Sequence, residues 1–220
     1  MIMKHLKIKI MSIAFMAVAT SSMAQSLNRL NEPQQWEIKD SKTLVMDVPA
    51  KTDFWRISHY GFTVDDGPFY YATYGGEFEA KVKITGNYVT TFDQMGLMLR
   101  IDHENWIKAG VEYVDGKQNV SAVVTHRTSD WSVVQLPDAP RSIWIKAVRR
   151  LDAVEIFFSR DDKEYIMMRT CWLQDNCPVM VGLMGACPDG KGFTATFEEF
   201  KVTPLADQRR LEWAKRQMNK

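Results

Sequence analysis

Between Trp36 and Val202 the chain reads as short runs of alternating apolar and polar residues, rich in Val, Ile, Phe, Tyr and Thr. Clusters of Gly, Pro, Asp and Asn separate them, as expected for strands joined by turns. The runs are Trp36–Ile38, Thr43–Val48, Phe54–His59, Gly76–Thr85, Asp93–Asp102, Asn105–Val114 and Val120–His126. They continue with Ser132–Gln135, Ser142–Arg149, Ala153–Ser159, Tyr165–Thr170, Val179–Gly185 and Thr194–Val202. So many strands in one body imply an all-β fold of two packed antiparallel sheets. Past Ala206 the period changes: Leu211, Ala214 and Met218 recur at helical spacing, which predicts a short helix in a tail over 205–220.

Two neighbouring runs separate core from surface. Met95, Leu97, Leu99 and Ile101 alternate with Gln94, Gly96, Met98 and Arg100; Ile107, Ala109, Val111 and Tyr113 alternate with Trp106, Lys108, Gly110 and Glu112. Pairing through a turn at His103-Glu104 collects Gln94, Arg100, Trp106, Lys108 and Glu112 on one sheet face, where Thr125 and Lys146 are expected to join them. Ion pairing on a solvated face is the ordinary role of such residues. Their mixture of polar forks and indole, with Gly96 and Gly110 read as clearing space above the sheet, also suits a hydroxyl-rich ligand such as a sugar. Trp55 is assigned to packing, and Trp131 is open between core and ligand platform.

Composition adds little until the amino terminus is read. The 220 residues are 45% hydrophobic and 25% charged, with a formal charge of +1, as in ordinary globular proteins. Residues 1–24 hold Lys4, Lys7 and Lys9, an apolar stretch from Ile10 to Ala19, then small residues to Ala24: the layout of a cleavable secretory signal. The stretch is too short to span a bilayer. Removing the three leader lysines from 28 basic residues leaves 25 against 27 acidic ones, no surplus for nucleic acid. The expected product is an exported domain over 25–204 plus the tail, with a carbohydrate or similar ligand and room for a protein partner.

Export allows disulfides. Cys171 and Cys177 flank a loop that a bridge could close, leaving Cys187 unpaired or an alternative partner; three unpaired thiols are the other reading. His59, His103 and His126 lack ligand spacing, and neither a phosphate loop nor a Gly-x-Ser-x-Gly elbow occurs, so no cofactor is expected. Asp65-Asp66 and Asp161-Asp162 are turns of a kind that sometimes holds Ca²⁺ but is more often solvated. The competing activity is glycoside hydrolysis, which needs two close carboxyl groups. Glu77 with Glu79, or Glu112 with Asp93 or Glu79, are the candidates, and Lys108 and Arg100 are expected to keep Glu112 ionised.

Several stretches also carry a family likeness. Thr52-Asp53-Phe54-Trp55, Tyr60-Gly61-Phe62, Phe92-Asp93-Gln94-Met95-Gly96-Leu97-Met98, Trp106-Ile107-Lys108-Ala109-Gly110-Val111-Glu112 and Ser129-Asp130-Trp131-Ser132 resemble the DUF1349 family over about Leu30 to Thr203. The resemblance implies a concanavalin A-like jelly-roll sandwich of the lectin and glucanase type. It implies no particular activity. Cys187 before Pro188, where the family usually has Ser, and the missing Gly at Asp161-Asp162 depart from its pattern.

Overall fold

The computed structural model describes residues 27–218; the signal-peptide reading of 1–24 lies outside them. In chain order the strands are β1 (Asn28–Leu30), β2 (Trp36–Lys39), β3 (Thr43–Val48), β4 (Phe54–Arg56), β5 (Thr63–Asp65), β6 (Phe69–Tyr74), β7 (Phe78–Gly86) and β8 (Gln94–Arg100). They continue with β9 (Asn105–Val114), β10 (Lys117–His126), β11 (Thr128–Gln135), β12 (Ile143–Arg150), β13 (Ala153–Ser159), β14 (Ile166–Trp172), β15 (Val179–Ala186) and β16 (Phe193–Pro204). Helix α1 (Gln208–Met218) ends the described chain.

Two antiparallel seven-stranded sheets form the sandwich. The first runs β1-β6-β15-β8-β9-β10-β11 and the second β14-β13-β12-β7-β16-β3-β2. Leu44, Met46, Ala80, Val82 and Ile84 of the second meet Leu97, Leu99, Ile107, Ala109 and Val111 of the first in the main core. The alternating runs thus face inward as expected. The bounds of β3, β9 and β13 match the sequence reading.

The β4–β5 hairpin lies over the outer face of the first sheet and buries a second cluster there: Phe54, Trp55, Phe69, Met98, Trp106, Val123, Met184 and Ala186. This explains why β6 escapes the alternation rule. Its neighbours Phe69 and Tyr70 are both buried, Phe69 in the outer cluster and Tyr70 in the inner one. A strand covered on both faces shows no period of two.

Polar bonds fasten the hairpin. The Arg100 guanidinium donates two hydrogen bonds to Asp65, at 2.5 and 2.6 Å. Lys108 Nζ donates to the Phe54 carbonyl at 2.7 Å, Ser129 Oγ accepts from the Arg56 amide at 2.9 Å, and the Arg56 side chain pairs with Glu104.

The predicted helix forms, but its Leu211, Trp213 and Met218 are exposed, so tethers at its start attach it. Glu77 accepts from the Gln208 amide and Arg209 pairs with Asp175, while Asp207 caps the helix by accepting from the Arg210 amide. Carboxylates at this end complement the helix dipole. Glu77 also pairs with Arg150 and so belongs to a structural network. All three cysteines are thiols in this structure; burial pushes Cys171 and Cys187 up to about 11. No helix among the described residues is long and apolar enough to cross a membrane.

Candidate functional site

The register is the one the turn at His103-Glu104 requires: Gln94 opposite Glu112, Gly96 opposite Gly110, Met98 opposite Lys108 and Arg100 opposite Trp106. The turn forms because the Asp102 carboxylate accepts from the amides of Glu104 and Asn105. Thr125 faces Trp106 from β10.

The six expected site residues therefore share one sheet face, but that face is roofed and they divide into two groups. Arg100 is held by Asp65 beneath the hairpin. Trp106, 1% exposed, packs edge-on against Phe54, and Thr125, 0% exposed, hydrogen-bonds Ser129 Oγ. These three are corrected from ligand contacts to supports, because the hairpin occupies the space a ligand would need. Lys146 is corrected too. It lies on β12 in the other sheet, its ammonium 3.7 Å from the Tyr165 ring centre.

Gly96 and Gly110 do not clear room for a ligand. A Cβ on Gly96 would meet the Ala109 carbonyl oxygen at 2.0 Å, and one on Gly110 would meet that of Met95 at 1.9 Å. The glycines let two backbones approach closely.

Gln94, Lys108 and Glu112 form the floor of a cavity of about 250 Å³. Trp55, Tyr60, Phe62, Phe92 and Trp131 wall it, with Asp53, Val123, Pro188 and Asp189 completing the lining. Trp55, read as a packing residue, packs and also faces the cavity. Tyr60 and Phe62 stack with ring centres 5.6 Å apart, Trp55 meets Tyr60 edge-on at 5.6 Å, and Phe92 meets Trp131 edge-on at 6.3 Å.

The aromatic loop is held in an unusual backbone path. Ile57, His59 and Gly61 all have positive φ, at 64°, 65° and 75°, and Phe92 has 72°. For a β-branched residue such as Ile57 that is genuine strain, costing about 1–3 kcal/mol, and such strain concentrates at functional sites.

Electrostatics set the floor. Glu112 Oε2 accepts from Ser121 Oγ at 2.6 Å and from Trp131 Nε1 at 2.8 Å. Among the described residues its Oε1 accepts no hydrogen bond. Burial raises its pKa above the ordinary carboxylate value, against the lowering effect of Lys108 and of those two donors. Desolvation thus outweighs Lys108 in setting the direction of the shift, opposite to the lowering expected from basic neighbours. Lys108 Nζ lies 3.4 Å from Asp53 Oδ1, and Gln94 Nε2 reaches the same oxygen at 3.4 Å.

Asp53, unforeseen as a site residue, is thus the second carboxylate of the cavity, and it repels the charged form of Glu112. The carboxyls expected beside Glu112 lie elsewhere. Asp93 caps the amides of Val89 and Thr90, and Glu79 is on β7 of the opposite sheet. The acidic turns are already engaged by the protein: Asp65 by Arg100, Asp66 by the Asp53 amide, Asp161 by the Lys163 and Glu164 amides, and Asp162 by Lys81 and Tyr165. Among the described residues no three metal-binding side chains gather.

A family model described as "Protein of unknown function (DUF1349)" matches residues 30–205. The chain belongs to the DUF1349 family. Among DUF1349 relatives, the Saccharomyces cerevisiae protein named Regulation of enolase protein 1 is 34% identical over 174 residues, 79% of this chain and 87% of the yeast protein. A crystal structure of a functionally unknown protein from S. cerevisiae superposes with a TM-score of 0.79 at 33% identity, covering 83% of this chain and 98% of that one. The carbohydrate-binding module CBM66 from Bacillus subtilis superposes at 0.53 and 13% identity, over 81% and 96% of the two chains. A Bacteroides ovatus enzyme, xyloglucan PUL GH43B, gives 0.60 at 15% identity, over 77% of this chain and 34% of that enzyme. At such low identities the last two likenesses establish the jelly-roll sandwich alone.

Proposed function

We propose that this DUF1349 protein is exported and binds a carbohydrate, one ring at a time, in the aromatic-walled cavity without transforming it. The observation that carries the reading is the pairing of five aromatic side chains with a floor of amide, ammonium and carboxylate groups. Aromatic faces cover the apolar side of a pyranose, while Gln94, Lys108, Asp53 and Glu112 supply donors and acceptors for hydroxyls. The cavity is smaller than the ~300–1,000 Å³ of drug-sized ligand sites, which suits a single ring. The B. subtilis neighbour with the same fold is a carbohydrate-binding module, and the leader-like residues 1–24 fit a protein that meets polysaccharide outside the cell.

A glycan array followed by calorimetric titration tests this. Trp131→Ala, which removes a wall and the indole donor to Glu112, is expected to weaken binding by about 2 kcal/mol, the scale of a buried aromatic anchor. Undiminished affinity in that variant, or silence across the array, overturns the reading.

A second reading, glycoside hydrolysis, is favoured by one observation: Asp53 and Glu112 share the cavity, and burial pushes Glu112 toward the protonated form that a general acid needs. It predicts release of reducing ends from a polysaccharide, reduced about 10²-fold or more in Glu112→Gln and in Asp53→Asn. Because Glu112 must hold its proton, the rate falls as pH rises through its elevated pKa. Activity that survives both substitutions rules this site out.

A further inference from the structure

The charges around the cavity do not cancel. Its lining carries three carboxylates, Asp53, Glu112 and Asp189, against one ammonium, Lys108. That ammonium is already engaged by the Phe54 carbonyl at 2.7 Å and by Asp53 at 3.4 Å. Lys51, at the rim, donates to the backbone carbonyl of Asp189 at 2.9 Å. Among the described residues Glu112 has no cationic partner within salt-bridge distance, whereas Asp53 has Lys108. Its side chain is more than nine-tenths buried, and Oε2 alone accepts from Ser121 and Trp131.

Oε1 accepts no hydrogen bond among the described residues and is open to a ligand, and a charge held in so enclosed a site gains from an opposite one. The surrounding walls are aromatic, and ring faces attract cations. Each feature selects the same ligand charge.

We propose that the ligand of this cavity is a protonated amino sugar, its ring against the aromatic wall and its ammonium directed to Glu112 Oε1. The proposal rests on the reading that this cavity is the carbohydrate site, and it adds the charge of the ligand. A purely cationic ligand without hydroxyls would make no use of Gln94 and Asp53 beyond the bonds they already make to each other, to Lys108 and to the backbone. A neutral sugar would offer Glu112 Oε1 a hydroxyl but no charge to offset its own. An ammonium also relieves the repulsion between Asp53 and Glu112, so binding draws Glu112 back toward its charged form.

The test is calorimetric titration of the full chain at neutral pH with D-glucosamine, D-galactosamine and D-mannosamine, each beside its neutral parent hexose. At least one amino sugar is expected to bind about tenfold more tightly than its parent, the least that a charge-assisted hydrogen bond returns. In Glu112→Gln, which keeps an acceptor for Ser121 and Trp131, the ratio of amino-sugar to parent-hexose affinity is expected to collapse toward one. A neutral hexose bound as tightly as its amino counterpart overturns the inference and leaves the carbohydrate reading standing. A preference for the amine that persists in Glu112→Gln overturns it as well, because the selection then arises elsewhere on the surface. Binding of none of the six overturns it whatever larger glycans bind, and silence on the array removes the underlying reading too. Should Glu112→Gln fail to fold, the comparison of amino and neutral sugars on the unaltered protein decides alone.

Discussion

Asp65→Ala destabilises the protein by about 3 kcal/mol and removes ligand binding with it. The guanidinium of Arg100 is 7% exposed and has Asp65 as its carboxylate, through two short hydrogen bonds. Deleting one member of a buried pair leaves an uncompensated charge, at a cost of about 3–5 kcal/mol; the lower end applies because Asp65, 28% exposed, is partly hydrated. The second consequence is geometric. Asp65 ends β5, opposite Phe54 at the start of β4, so its loss loosens the hairpin between the cavity and the second cluster. Urea denaturation monitored by tryptophan fluorescence gives the stability difference. A companion variant, Asp65→Ala with Arg100→Met, is expected to recover much of the stability, since an apolar side chain there carries no charge to strand. A loss below about 1 kcal/mol for the single variant, typical of surface pairs, would show that the pair does not hold the hairpin.

Trp106→Ala is expected to cost about 3–5 kcal/mol, the range for emptying a buried aromatic site. Trp106 is among the largest wholly buried side chains, packed in the cluster with Phe54, Met98 and Val123 beneath the hairpin. A sugar-contacting indole on an open face predicts the reverse: near-normal stability with lost binding. Thermal unfolding and ligand titration on the same variant separate the two roles. A melting temperature within a degree or two of the parent, with binding abolished, would return Trp106 to the ligand site.

These two residues mark where the sequence stopped being informative. Alternation placed Gln94, Lys108 and Glu112 on one face and set their register through the Asp102 turn, because period-two patterning encodes which way a side chain points. It does not encode what covers that face. Arg100, Trp106 and Thr125 have the same parity as the floor residues and differ only in lying under the hairpin, a contact between segments far apart in the chain.

Asp53, Tyr60, Phe62 and Phe92 come from irregular backbone, where positive φ at Ile57, His59, Gly61 and Phe92 defeats any periodic rule. A signal for them was nevertheless present. Asp53, Tyr60, Phe62 and Phe92 all fall within the stretches that carry the DUF1349 likeness, and a motif in a loop is a stronger pointer to function than one in a core strand. The shift of Glu112 was not legible at all, because desolvation depends on the roof and the walls, which neighbouring charges in the sequence do not reveal.

The order of the first sheet has a kinetic meaning. Its strands β8, β9, β10 and β11 are consecutive hairpins, and they carry Gln94, Lys108, Glu112, Val123 and Trp131. Closing such short loops costs little chain entropy and is fast. The segments that complete the cavity, Asp53 to Phe62 and Pro188-Asp189, arrive from opposite ends of the domain and wait for β6 and β15 to join the same sheet. The floor can therefore assemble early as a local meander, whereas the enclosed pocket exists only once the distant parts of the chain have met.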